Sequence, residues 1–262
     1  MAHILVVSAV IFLLAIVMSM TGRGGGNFYV PVLLIAGIPV HEASTISQLI
    51  LVATATAAMV VFQKNKTVDW KLALLIDPPT DIMAFIGGYY AHQFLDTHVK
   101  LLLTGLLVLS SFLMLYHVNE RSPGDTRKFG FWRRTYGNYT YTINLWTVIP
   151  ITAATGFVAG MVGISGGSFK IPLMVLACGV PMRIAVGTSS AMVAATALMG
   201  FFGHLAGGDL YTGSAIPLAA VACVGGILGG KFSLKTSPKN LKHLFAYSTL
   251  AAAIVVFLKI LY

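Results

Sequence analysis

The sequence predicts an all-α polytopic membrane protein built from two inverted repeats, each with four long transmembrane helices and one short, broken Gly-Pro helix segment. Three observations carry that expectation. The 262 residues are 57% hydrophobic and only 10% charged, with a mean hydropathy of +0.85, whereas a soluble domain carries about 25% charged residues. The stretch from Gly22 to Pro39, GRGGGNFYVPVLLIAGIP, returns as Gly163 to Pro181, GISGGSFKIPLMVLACGVP, with Gly25 over Gly166 and Pro31 over Pro172 at a separation of 141. One inserted residue then carries Pro39 onto Pro181 and Gly87-Gly88 onto Gly229-Gly230. Such long self-similarity marks two related halves. Finally, the lysines fall in non-equivalent loops of the two halves, which reverses their preferred sides of the membrane.

The elements follow in order. A crossing helix needs about 20 residues. Apolar runs give spans over Ile4–Met20, Ala43–Phe62, Trp70–Phe94, Val99–Tyr116, Leu145–Val162, Arg183–His204, Tyr211–Lys231 and Leu241–Leu261. Ile4–Met20 has no basic residue before it and no small-residue cleavage site after it, so it reads as a span and not as a removable signal. Residues 1–118 form the first repeat, 119–142 a basic linker and 143–262 the second repeat. Trp70, Trp132, Trp146 and the tyrosines of Tyr136–Tyr141 fall at span ends, as an interfacial aromatic belt does.

Lys64, Lys66 and Lys71 gather before the third long span of the first half. In the second half Lys231, Lys235, Lys239 and Lys242 gather after the equivalent span. The linker adds Arg121, Arg127, Lys128, Arg133 and Arg134, which places it in the cytoplasm. If all these loops share that side, each half crosses an odd number of times. The short Gly-Pro segment must then supply a fifth crossing, and both termini lie outside. Two parallel four-helix halves with re-entrant loops are the alternative.

The net charge of +9 is scattered over many loops, which argues against nucleic acid and suits anionic lipid or an anionic substrate. Cys178 and Cys223 lie in apolar runs and read as packing residues, not a disulfide. No metal-ligand spacing, nucleophile elbow or P-loop occurs, and no cofactor is implied.

A helix from Phe28 to Ile38 rises only about 16 Å and cannot cross alone. Gly24-Gly25-Gly26 can carry the rest, and such backbone survives at depth only inside protein or along a polar cavity. Pro31 suits the first turn of a short helix. The amides around Gly25–Phe28 and Gly166–Phe169 are then expected to be unpaired and to attract an anion. Asn27 and Ser168 supply further donors. Alternatively, the glycines form a close-packing seam. Past the second proline, the first half places Ser44, Thr45, Ser47 and Gln48 near the start of its next helix and the second half Gly187, Thr188, Ser189 and Ser190, with Ser47 aligned on Ser189 and Gln48 on Ser190. These groups either complete an anion cage or bond across packed helices.

The duplicated Gly-Gly-(Asn/Ser)-Phe-x-(Val/Ile)-Pro motif, together with Gly187-Thr188-Ser189, resembles the TauE/SafE family of sulfite exporters over about residues 5–260. The resemblance implies a cytoplasmic-membrane permease for sulfite, organosulfonates or related sulfur-containing or carboxylate anions. It implies site residues Gly25, Gly26, Asn27, Gly166, Gly167 and Ser168, with Thr188–Ser190. Phe28, Phe169, Ser47 and Gln48 join this set by position. The chain departs from the family pattern at Thr45-Ile46-Ser47 and at Asp77-Pro78-Pro79-Thr80-Asp81.

Asp77 and Asp81 are four apart and share a helix face unless the prolines bend it. Carboxylates at this depth are costly and usually functional. They either couple anion movement to protons or pair with Arg23 or Lys170. Those two cations are themselves candidate anion contacts, Arg23 being the better bidentate partner. Arg23 is expected near the cytoplasmic mouth, and His204 at the interface. The sequence therefore reads as a secondary transporter, open to oligomerisation, with a membrane enzyme using Asp77/Asp81 or a non-transport subunit as alternatives.

Overall fold

The computed structural model describes residues 2–93, 104–105, 108–109, 111–112, 129–164, 166–208 and 215–261. Uniformly apolar, Leu/Ile/Val/Ala-rich runs form the long helices: α1 Ala2–Met20, α3 Val40–Lys64, α5 Leu145–Val162, α7 Met182–Ala206, α8 Ala215–Lys235 and α9 Pro238–Leu261. Four of them, α3, α5, α7 and α8, are long and apolar enough to cross a membrane. The fourth helix in chain order, α4 Trp70–Tyr89, carries Asp77 and Asp81 and runs on through Pro78 and Pro79. Of the expected span Val99–Tyr116 only residues 104–105, 108–109 and 111–112 are described, and linker residues Arg121, Arg127 and Lys128 lie outside the described residues.

The two Gly-Pro segments are short helices. Segment α2 covers Gly26–Ile35, and α6 covers Gly167–Pro172 before passing into a π turn over Leu173–Ala177. Pro31 sits inside α2 and Pro172 closes α6. The expectation of a first-turn proline is therefore corrected. Neither ring nitrogen can donate to the carbonyl four residues back. At Pro172 the hydrogen-bond register widens, with the Cys178 amide bonding back to Leu173 at 3.3 Å.

The membrane part is helical, but the chain before α5 corrects the all-α expectation. Phe131–Tyr136 (β1) and Tyr139–Asn144 (β2) form an antiparallel hairpin with Tyr136 opposite Tyr139. Gly137, at φ +56°, turns the chain between them.

Packing is exchanged between the halves of the sequence. Helix α4 lies against α5 and α7, and α8 lies against α1 and α3, while α3 and α7 pack on each other in the centre. Glycines set these seams. A Cβ on Gly87 would collide with the carbonyl of Phe157, and one on Gly229 with the carbonyl of Ile16. Gly88 meets Gly200 and Gly203, whereas Gly230 meets Ala58 and Val61. Each contact in one half thus has its repeat-equivalent in the other. Only small residues permit such backbone approach in a membrane.

Candidate functional site

The two Gly-rich motifs meet. Asn27 Nδ2 donates to Ser168 Oγ at 2.7 Å, joining residues one repeat apart. Both side chains are buried. Gly25 caps α2 in the left-handed region at φ +108°, which a side chain opposes. Gly166 caps α6 with an ordinary φ of −63°. The amides of Phe28 and Tyr29 bond back to Gly25, and those of Phe169 and Lys170 to Gly166. The expected free amides at Phe28 and Phe169 are therefore not available. Those of Gly26 and Asn27 have no backbone acceptor among the described residues. Phe28 and Phe169 pack with Ile164 and Ala253 as the apolar flank of the motif pair.

Asn27 Oδ1 has no hydrogen-bond partner among the described residues, and neither has Gln48 Oε1. Turning the Asn27 amide by 180° exchanges the roles, so that the Ser168 hydroxyl donates and the amide NH2 is left over. In either orientation this buried amide keeps one polar atom without a hydrogen-bond partner among the described residues.

The small polar residues brace the motifs. Ser47 Oγ donates to the Gly163 carbonyl at 2.8 Å, and its repeat-equivalent Ser189 donates to the Gly22 carbonyl at 2.9 Å. Gly22 and Gly163 both need positive φ, +73° and +72°. Ser190 bonds within its own helix, to Val186. Thr188 accepts the Asp69 amide at 3.0 Å. Gln48 Nε2 reaches the Ala159 carbonyl at 3.4 Å. The hydroxyl protons of Ser47, Ser189 and Ser190 are thus directed to backbone carbonyls.

Behind α6 sits a charge network, buried at Lys170, Asp77 and Thr196 and half-buried at Asp81. Lys170 Nζ pairs with Asp77 Oδ1 and donates to Thr196 Oγ1 at 2.7 Å. Thr196 Oγ1 donates to Asp81 Oδ1 at 2.8 Å and lies 3.4 Å from Asp77 Oδ1. The two carboxylates do share one helix face. The sequence reading missed Thr196, although Thr54 stands at the equivalent place in the first repeat. There Tyr29, the counterpart of Lys170, donates to the Gly24 carbonyl at 2.7 Å and lies 3.2 Å from Thr54 Oγ1.

Arg23 is not at a mouth: it is 1% exposed. Its Nε donates to Thr21 at 3.1 Å, its Nη1 and Nη2 contact Thr249 and Ser248, and the guanidinium lies over the Phe245 ring at 4.5 Å. No carboxylate pairs with it among the described residues. His204, in the last turn of α7, is buried too, with Nε2 2.9 Å from the Gly160 carbonyl.

The hairpin clamps the start of α4. Asp69 caps that helix by accepting from the amides of Lys71 and Leu72. Arg134 grips the same carboxylate through Nε at 2.9 Å and Nη2 at 3.1 Å, and the Tyr141 hydroxyl donates to it. Tyr136 donates to the carbonyls of Lys66 and Val68. Burial pushes the Asp69 carboxyl up, but the hydrogen bonds of Arg134, Tyr141 and the Leu72 amide outweigh it and leave the group below the usual carboxylate range. Burial and the adjacent Asp69 raise the Tyr141 phenol.

Residues 7–256 match the family model described as Sulfite exporter TauE/SafE. The chain belongs to this family. Relatives of the TauE/SafE chain include the probable membrane transporter protein YunE of Bacillus subtilis, 27% identical, with 85% of this chain and 86% of that protein covered. A probable membrane transporter protein of Methanocaldococcus jannaschii is 24% identical over 88% of this chain and 86% of its own length. One from Xylella fastidiosa is 25% identical over 93% and 91%. No solved structure matches the chain. Family and relatives are membrane transporters and not enzymes.

Proposed function

We propose that this chain is a secondary transporter that exports sulfite or a small organosulfonate or carboxylate anion across the cytoplasmic membrane. The anion sits between the two Gly-rich helix starts, taken by the Gly26 and Asn27 amides, the Asn27 side chain and the Ser168 end. The observation that carries this reading is the buried Asn27–Ser168 hydrogen bond, which brings equivalent residues of both repeats face to face beside an unpaired polar atom. Broken helices meeting in this way are how transporters present backbone donors to an anion at mid-membrane. In this conformation the motifs touch, so the anion enters by parting them. The repeats are inverted, both termini face outward, and access alternates between the two sides.

The Lys170–Asp77–Thr196–Asp81 network supplies the coupling. One lysine facing two carboxylates balances when one proton is held. Thr196 links Lys170 to Asp81, so a proton lost or gained at Asp81 is felt at α6, three residues beyond Gly167.

Proteoliposomes loaded with labelled sulfite, sulfoacetate or acetate test the reading. Asn27→Ala and Ser168→Ala should each slow efflux at least tenfold, while protein folding stays intact by thermal melting. Unchanged efflux in both variants rejects the site. Asp81→Asn should flatten the pH dependence of efflux, and an unaltered profile removes the proton.

A further inference from the structure

We infer that the groove between α3 and α8 is a docking site for an anionic phospholipid. It encloses a cavity of about 990 Å³. The two helices run parallel there, since Gly226 lies on Thr54 and Gly230 on Ala58 and Val61. Their C-terminal ends therefore share one end of the groove. Lys64 closes α3, Lys235 closes α8, and Lys231 stands one turn earlier. All three are exposed, line the cavity, and have no carboxylate partner among the described residues. No acidic residue lines the groove.

Away from that end the wall turns apolar. Val52, Val60 and Ile227 line it, and Val60 and Ile227 are 44% and 37% exposed. Trp70, 42% exposed, hydrogen-bonds through its indole N–H to Gln63 at 2.6 Å, beside Lys64. An exposed Trp at a helix end marks the headgroup level. A cluster of unpaired lysines at that level, opening onto a long apolar slot, matches one molecule with a phosphate and acyl chains. A free anion would gain nothing from the apolar part. The repeat-equivalent positions of the three lysines are Ala206, Tyr89 and Gln93, so the charge belongs to one face of the protein. Basic pockets of this kind between helices recognise acidic headgroups. The site shares none of its residues with the Gly-rich motifs and stands whether or not the transport reading does.

Native mass spectrometry on the purified full chain, titrated with phosphatidylglycerol or phosphatidylcholine, tests the inference. Wild type should retain the anionic lipid about tenfold more tightly. Replacing Lys64, Lys231 and Lys235 together by Gln should abolish that preference. Replacing Lys71, Arg133 and Lys239 by Gln, the same charge change elsewhere on the surface, should leave it intact. Ile227→Trp, which fills the slot without touching charge, should weaken retention of both lipids severalfold. Equal retention of the two lipids by wild type, or equal loss in both triple variants, overturns the inference. So does a dimer that Ile227→Trp dissociates, which would make the groove an interface between copies.

Discussion

The same two positions do different work in the two halves. In the first, Tyr29 and Thr54 form a neutral pair that closes onto local backbone, Tyr29 to Gly24 and Thr54 to Ile50. In the second, Lys170 and Thr196 occupy the equivalent places and turn outward to Asp77 and Asp81 of the other half. Meanwhile the braces, Ser47 on Gly163 and Ser189 on Gly22, and the seams of Gly87 and Gly229 stay equivalent. Duplication has kept the scaffold symmetric and let the charge become one-sided.

The largest effect that can break this comparison is at Lys170. Lys170→Met leaves Asp77 buried without its cation and should lower unfolding stability by about 3–5 kcal/mol. Adding Asp77→Asn should restore most of it, which a double-mutant cycle by thermal unfolding in detergent would read. The seams test the symmetric part. Gly87→Ala and Gly229→Ala each press a methyl onto a facing carbonyl and should cost roughly 1–3 kcal/mol apiece. A large inequality between the two would show that the scaffold is not shared.

The hairpin clamp is next. Asp69 sits below its unfolded carboxyl value, so its contribution is complete above about pH 4 and is lost as the pH falls through the folded value. Normalised to trypsin cleavage of an unstructured peptide at the same pH, cleavage at Arg134 should be flat between pH 5 and 8, with Asp69→Asn cleaved faster throughout. Tyr29→Phe should be the mildest change. It removes one neutral hydrogen bond, about 1 kcal/mol, and leaves the pH profile of efflux untouched, whereas Lys170→Met alters it.

Much of this was legible in the sequence because hydropathy and the repeat spacing are strong signals. Leu145–Val162 is the same helix in sequence and structure, and Asn27 and Ser168, equivalent in the repeat, are the residues that the fold brings into contact. The hairpin of Phe131–Tyr136 and Tyr139–Asn144 is hidden in the sequence because 119–142 reads as a basic linker and Trp132 with the tyrosines of Tyr136–Tyr141 as an interfacial belt. Their runs of Tyr, Thr and Trp around Gly137-Asn138 are in fact a two-residue turn between strands. Arg23 looked peripheral because a cation beside glycines resembles a loop. Its partners Ser248 and Thr249 stand more than 220 positions away, where no local pattern reaches. Whether Lys170 met Asp77 or an anion was open for the same reason. Only the fold brings α4 across to α6.

The exchanged packing also bears on how such a chain can be cut or assembled. Helix α4 has its bed in α5 and α7, and α8 in α1 and α3. Severing the polypeptide at the hairpin gives two fragments, each with one helix whose glycine groove has nothing to lie in. Neither fragment is self-sufficient, but the two complete each other without needing the peptide that joins them. A lone copy of the repeat would face the same deficit and remedy it only by clasping a second copy.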